Sequence, residues 1–172
     1  MSNPKFKMVM ESLIEEIVQK LDEEAKAFTN WVRPKDKDLE LEYKIEYEIK
    51  PLKAMTGNAF PTVESFKKAA KAAKVIKLTP SVDSKIAYRS RTRTKEQILN
   101  LIRGYASYPQ FRNEKTIDAI YKAFEDNQPM TMPIVLKMPD DSMRIMGGNT
   151  RADIAIQMGI IPEAILIVVP KG

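Results

Sequence analysis

Five consecutive apolar residues, Ile165-Leu166-Ile167-Val168-Val169, restrict the architecture more than any other feature of this chain. A strand with no polar side chain on either face has to lie inside a sheet, so this run reads as a central, buried strand. Upstream lies a matching rhythm. Pro129 and Pro133 bracket a turn into Ile134-Val135-Leu136-Lys137. Pro139-Asp140-Asp141-Ser142 predicts a hairpin turn, and Met143-Arg144-Ile145-Met146 the returning strand. Gly147-Gly148 ends that strand, and a helix follows from Thr150 to Met158, stopped by Gly159. The expected fold class is α+β: a small mixed sheet with packed helices, preceded by an N-terminal helix and strand extension.

Residues 8–28 place Val9, Leu13, Ile17, Leu21, Ala25 and Phe28 mostly four apart, which predicts an amphipathic helix. After Arg33-Pro34-Lys35-Asp36, Leu39, Leu41, Tyr43, Ile45, Tyr47 and Ile49 alternate strictly with charged residues. Period two over eleven residues predicts a half-buried strand, ended by Pro51. Lys53 to Pro61 reads as a linker. Thr62 is placed to cap a helix to about Ala73, and Val75-Ile76-Lys77-Leu78 is a short strand stopped by Thr79-Pro80. Thr94 and Gln97 form a capping box for a helix that Gly104 closes, and Asn113 caps another carrying Ile117, Ile120, Tyr121 and Phe124 on one side. The division is residues 1–60 as the extension and 61–172 as the main domain, with a basic insertion at about 80–107.

The chain has no Cys and no His, which removes thiolate nucleophiles, disulfides, imidazole catalysis and the usual zinc sites. Chemistry must rest on carboxylates, Lys, Arg, hydroxyls or a hard cation held by oxygen. Phosphoryl transfer, phosphodiester hydrolysis or no catalysis remain. No stretch approaches the ~20 apolar residues of a membrane helix and no signal-peptide block opens the chain, so the expectation is a soluble cytoplasmic protein. The net charge of +5 is uneven. Residues 1–60 sum to −2, residues 61–115 to +9 and residues 116–172 to −2, so the middle third predicts a face for a polyanion.

Three sets of residues can carry chemistry. A strand that ends at Gly147-Gly148 and enters a helix directly presents backbone N–H groups and the positive end of the helix dipole to an anion. Asn149 lies in this turn, Thr150 adds a hydroxyl and Arg151 a bidentate guanidinium. The same residues also fit a tight turn capped by Asn149 beside a surface arginine. The second set is Arg89, Arg91, Arg93, Lys95 and Arg103, with Tyr88, Tyr105, Tyr108 and Phe111 interleaved. It suits phosphates and stacked bases, and equally a solvated edge. Lys67, Lys68, Lys71 and Lys74 either extend it or form a solvated helix face. The third set is acidic. Glu114 and Asp118 lie one turn apart near Arg112 and are the candidates for a general base or metal ligand. Asp140 and Asp141 already have a turn-forming reason to exist, and Asp153 is expected to point away from Arg151.

From Lys74 onward the order of elements resembles the ParB/sulfiredoxin superfamily. Val75-Ile76-Lys77-Leu78 is similar to its opening strand and Tyr108-Pro109-Gln110-Phe111-Arg112 to its Asn-Pro-Arg-type segment. Gln128-Pro129 with Met132-Pro133-Ile134-Val135 resembles its Gln-Pro-Ile-Val box. Gly148-Asn149-Thr150-Arg151 falls on its Gly-x-x-Arg signature. The resemblance implies nucleotide binding, ATP or CTP, with phosphates at Gly147–Arg151, and the lack of His and Cys makes Mg²⁺ or Mn²⁺ the expected requirement for any turnover. With the basic stretch it gives the expectation of nucleic-acid contact, through Arg89, Arg91, Arg93, Lys95, Arg103 and Arg112 on grounds of charge, and of NTPase or nuclease activity. Two other readings stay open: a kinase for a small-molecule or nucleoside hydroxyl, and a non-catalytic assembly module that forms a homo-oligomer through its N-terminal region. Sulfiredoxin's nucleophilic Cys and ParB's Glu both fall on Asn149, so sulfinic acid reduction is not implied. ParB's helix-turn-helix DNA-reading domain has no counterpart in the sequence up to Gly172.

Overall fold

A computed structural model describes residues 3–47, 52–87, 89–103 and 113–171, and over them the chain is α+β. Tyr88, Gly104, Tyr105, the Tyr108–Arg112 segment, Ile49 and Pro51 lie outside the described residues, as do the side chains of Leu21, Ala25 and Arg103. The elements in chain order begin with α1 (Pro4–Ala27), β1 (Trp31–Val32), α2 (Asp36–Glu42), a π-helical turn (Tyr43–Tyr47) and α3 (Leu52–Met55). There follow α4 (Val63–Ala72), β2 (Lys74–Lys77), α5 (Pro80–Asp83), β3 (Ile86–Ala87), α6 (Lys95–Arg103) and α7 (Glu114–Glu125). The chain closes with β4 (Met130–Thr131), β5 (Ile134–Lys137), β6 (Met143–Gly147), α8 (Asn149–Gln157) and β7 (Glu163–Val168).

Five strands form a sheet in the order β2-β7-β5-β6-β3. The β7–β5 and β6–β3 pairs are parallel, and β2–β7 and β5–β6 antiparallel. The apolar C-terminal run is therefore central, with a neighbour on each side, and buried except at Val168, which is 61% exposed. Its alternation serves two cores. Ile165 and Ile167 join Ile134 and Leu136 in the larger cluster, while Ala164 and Leu166 meet Val135, Leu78 and Ile86 across the sheet. A separate parallel pair joins β1 to β4, Trp31 opposite Met130.

The helix starts obey capping chemistry. Thr62 Oγ1 accepts from Ser65 N (3.1 Å), Thr94 Oγ1 from Gln97 N (3.1 Å) and Asn113 Oδ1 from Thr116 N (2.9 Å). Gln97 closes its box by accepting from Thr94 N at 3.1 Å. α1 opens with Pro4 in its first turn and Asn3 capping Lys5 N at 3.0 Å.

The alternating stretch from Leu39 is a correction: it is helical from Asp36 to Tyr47, not a strand. A period-two pattern contains an i, i+4 set, and here that set is Leu39 and Tyr43, 1% and 4% exposed, while Leu41 is 41% exposed. Asp38 accepts from Lys35 N (2.9 Å) to start the helix. Tyr43 donates to the Phe60 carbonyl (2.7 Å) and its ring lies 5.6 Å from Phe66. The acidic residues divide around the Leu39–Tyr43 stripe. Asp36 and Glu40 pair with Lys71 and Lys67 of α4, while Asp38 and Glu42 face the other way. Lys53 to Pro61, expected to be a linker, holds α3 and the buried Thr56 and Phe60.

Candidate functional site

Gly147 is the last residue of β6 and Gly148 the residue that caps α8, so strand passes into helix without a loop. Gly148 has φ +85°, and a Cβ there would come within 2.7 Å of Pro133 Cα. Both the left-handed backbone and the close approach demand glycine. Among the described residues no side-chain hydrogen bond caps α8, and its first turn holds no acidic residue, so its leading N–H groups and the positive end of its dipole face this turn. Arg151 folds back over this turn, with Nη2 only 2.8 Å from the Gly148 Cβ position and Nε donating to the Thr131 carbonyl at 3.0 Å.

Arg151 lines a cavity of about 110 Å³ together with Pro34, Asp38, Glu42, Thr131 and Met132. Burial pushes the Arg151 guanidinium below its ordinary value, and the charges of Glu42 and Asp38 act in the opposite direction. Glu42 reaches the glycines as well: a side chain at Gly147 would lie 2.5 Å from Glu42 Cδ and 2.8 Å from its Oε1. A carboxylate is therefore seated against the backbone of the turn predicted to hold a phosphate. Asp38 and Glu42 are absent from the acidic candidates read from sequence. Their i, i+4 spacing would have found them had the segment been taken as a helix.

Asn149 joins this turn to the basic stretch. Its Nδ2 donates to Ser90 Oγ, and Ser90, Thr92 and Arg89 all converge on Asp153 one helical turn further along. Thr92 donates to Asp153 Oδ2 from its backbone (3.1 Å) and its hydroxyl (2.6 Å). Arg89 pairs with Asp153 through Nη1 and with Asp83 through Nε at 2.7 Å, its side chain 0% exposed. Asn149 Oδ1 is buried without a hydrogen-bond partner among the described residues.

No protein-family model matches this chain, and no curated protein or solved structure does.

Among the described residues the polyanion set does not share one surface. Arg89 is interior and neutralised. Arg91 donates to the carbonyls of Asp83 and Ile86, both at 2.8 Å, and its side chain is 34% exposed. Lys95 is tied to Asp118 and lies over the Tyr121 ring. Arg93 is exposed, Arg112 lies outside the described residues, and nothing is described of Arg103's side chain. Of the α4 lysines, Lys67 is buried against Glu40 and Glu64.

The acidic candidates part in the same way. Asp118 is the partner of Lys95, whose ammonium is raised chiefly by that bond. Glu114 stands exposed at the start of α7. Asp140 accepts from Ser142 N (3.0 Å) and from its hydroxyl, which holds its carboxyl below the usual range, and Asp141 has φ +67°. That pair serves the hairpin turn. Among the described residues no group of three or more acidic side chains lies close enough to hold a metal alone, and no helix is long and apolar enough to cross a membrane.

Proposed function

We propose that this chain is a nucleotide-binding domain of the ParB-like kind that grips phosphate at the start of α8, between Gly147, Gly148 and Arg151. The observation that carries the reading is the uncapped helix start at a left-handed glycine with a guanidinium folded over it. Asn149 Oδ1 beside it, without a partner among the described residues, would accept from a ligand's hydroxyl or amino group. Asp38 and Glu42 are the carboxylates positioned next to that phosphate, ahead of Glu114 and Asp118. With phosphate oxygens they would offer the hard-oxygen set that Mg²⁺ takes, and the ion would neutralise the phosphate charge against Glu42. Nucleic-acid contact, in this reading, is confined to the surface around Arg91 and Arg93.

The test is calorimetry with ATP, ADP and CTP, each with and without Mg²⁺. Arg151→Ala should weaken binding by about 1.5–3 kcal/mol, roughly 10- to 150-fold in Kd. Binding should be tighter with Mg²⁺ and lose that dependence in Glu42→Gln. Equal affinity of Arg151→Ala and the native chain would remove the phosphate site.

A further inference from the structure

The N-terminal helix carries an apolar face that the rest of the chain leaves open. Phe6, Val9, Met10, Leu13, Ile14 and Ile17 are between 42% and 64% exposed. Phe6, Met10, Leu13 and Ile17 follow one another at intervals of four, three and four, the spacing of a two-helix seam. Six such side chains in a few turns are a patch of the kind that marks an interface.

We infer that this face pairs antiparallel with the same face of a second copy of this chain. The charges select both the partner and its direction. Lys5 and Lys7 flank the N-terminal end of the patch, and Glu15 and Glu16 its C-terminal end. An antiparallel pair centred on the patch sets Phe6 opposite Ile17 and Met10 opposite Leu13. Lys5 and Glu16 lie on the same flank of the seam, so each Lys5 then meets Glu16 of the other copy. A parallel pair would face lysines with lysines and glutamates with glutamates. An anionic membrane is disfavoured, because residues 4–17 hold three glutamates against two lysines. Burying six side chains from each copy removes on the order of 1,000 Å² from water, the lower edge of a specific interface. The dimer is therefore a weak one, with Kd in the micromolar range, and stands apart from the phosphate site.

Sedimentation equilibrium of the full chain from about 1 to 100 µM tests this. The native chain should pass from monomer to dimer, and Leu13→Glu/Ile17→Glu should remain monomeric at every concentration with an unchanged α8 site by nucleotide titration. Lys5→Glu/Lys7→Glu should weaken the dimer by about tenfold. Adding Glu15→Lys/Glu16→Lys to the same chain should restore it, and that chain should not pair with the native one, since an antiparallel mixed pair would face like charges. A native chain that stays monomeric, assembly indifferent to Leu13 and Ile17, or failure of the four-residue swap to restore pairing would each overturn the inference. So would a monomer that co-sediments through α1 with phosphatidylcholine vesicles containing phosphatidylglycerol.

Discussion

Asp153→Ala is expected to destabilise the fold by about 3–5 kcal/mol, the loss that follows when one member of a buried ion pair is removed. Arg89 is the reason. Its side chain is fully inside, with Asp153 1% and Asp83 9% exposed beside it, so removing Asp153 leaves half of its compensation missing where water cannot replace it. Asp153 also receives Thr92 twice, holding the segment after β3 against α8. Urea unfolding of the native chain, Asp153→Ala, Arg89→Met and the double variant measures the coupling. The double variant should lose less than the two single variants summed, because Arg89 is no longer stranded, while Asp83 keeps Arg91 Nε at 3.7 Å. A single-variant loss below about 1 kcal/mol would mean that Arg89 reaches solvent once released.

Leu39→Ala should cost about 2–5 kcal/mol, and Leu41→Ala no more than about 0.5 kcal/mol. In a half-buried strand, residues 39 and 41 share a face and would behave alike. In α2 they lie on opposite sides, with Leu39 in the main core and Leu41 at the surface. Denaturant midpoints of the two variants decide between the arrangements. Equal losses would restore the strand.

That pair of residues also shows where sequence reasoning stops. Capping signals such as Thr62, Thr94 with Gln97, and Asn113 act within four residues, so the helices they start were legible. The hairpin at Asp140 and Asp141 was legible for the same reason. Between Leu39 and Tyr47 the local pattern satisfied two periods. The choice between them came from contacts made far away, at Phe60, Phe66, Lys67 and Lys71. Tertiary packing overrode the period.

The same distinction runs through the site. The turn at Gly147–Arg151 could be read because glycines ahead of a helix have a local meaning. Arg89 could not be assigned, because its role is set by Asp83, six residues back, and Asp153, sixty-four residues on. A row of basic residues at every second position looks like an exposed edge until distant carboxylates claim one member. Asp38 and Glu42 were hidden by the strand reading itself.

The small β1–β4 pair has a consequence for synthesis. Trp31 stands opposite Met130, 99 positions later, in a ladder whose bonds run from Met130 N to the Asn30 carbonyl (3.0 Å) and from Met132 N to the Val32 carbonyl (2.9 Å), and its ring packs on Phe28 and Phe124. At roughly 5–20 residues per second, a ribosome needs on the order of 5–20 s to make the second half of that contact. Throughout that interval Phe28 and Trp31 have neither their aromatic neighbour nor their strand. A nascent chain of this protein thus displays Phe28 and Trp31 early and covers them late.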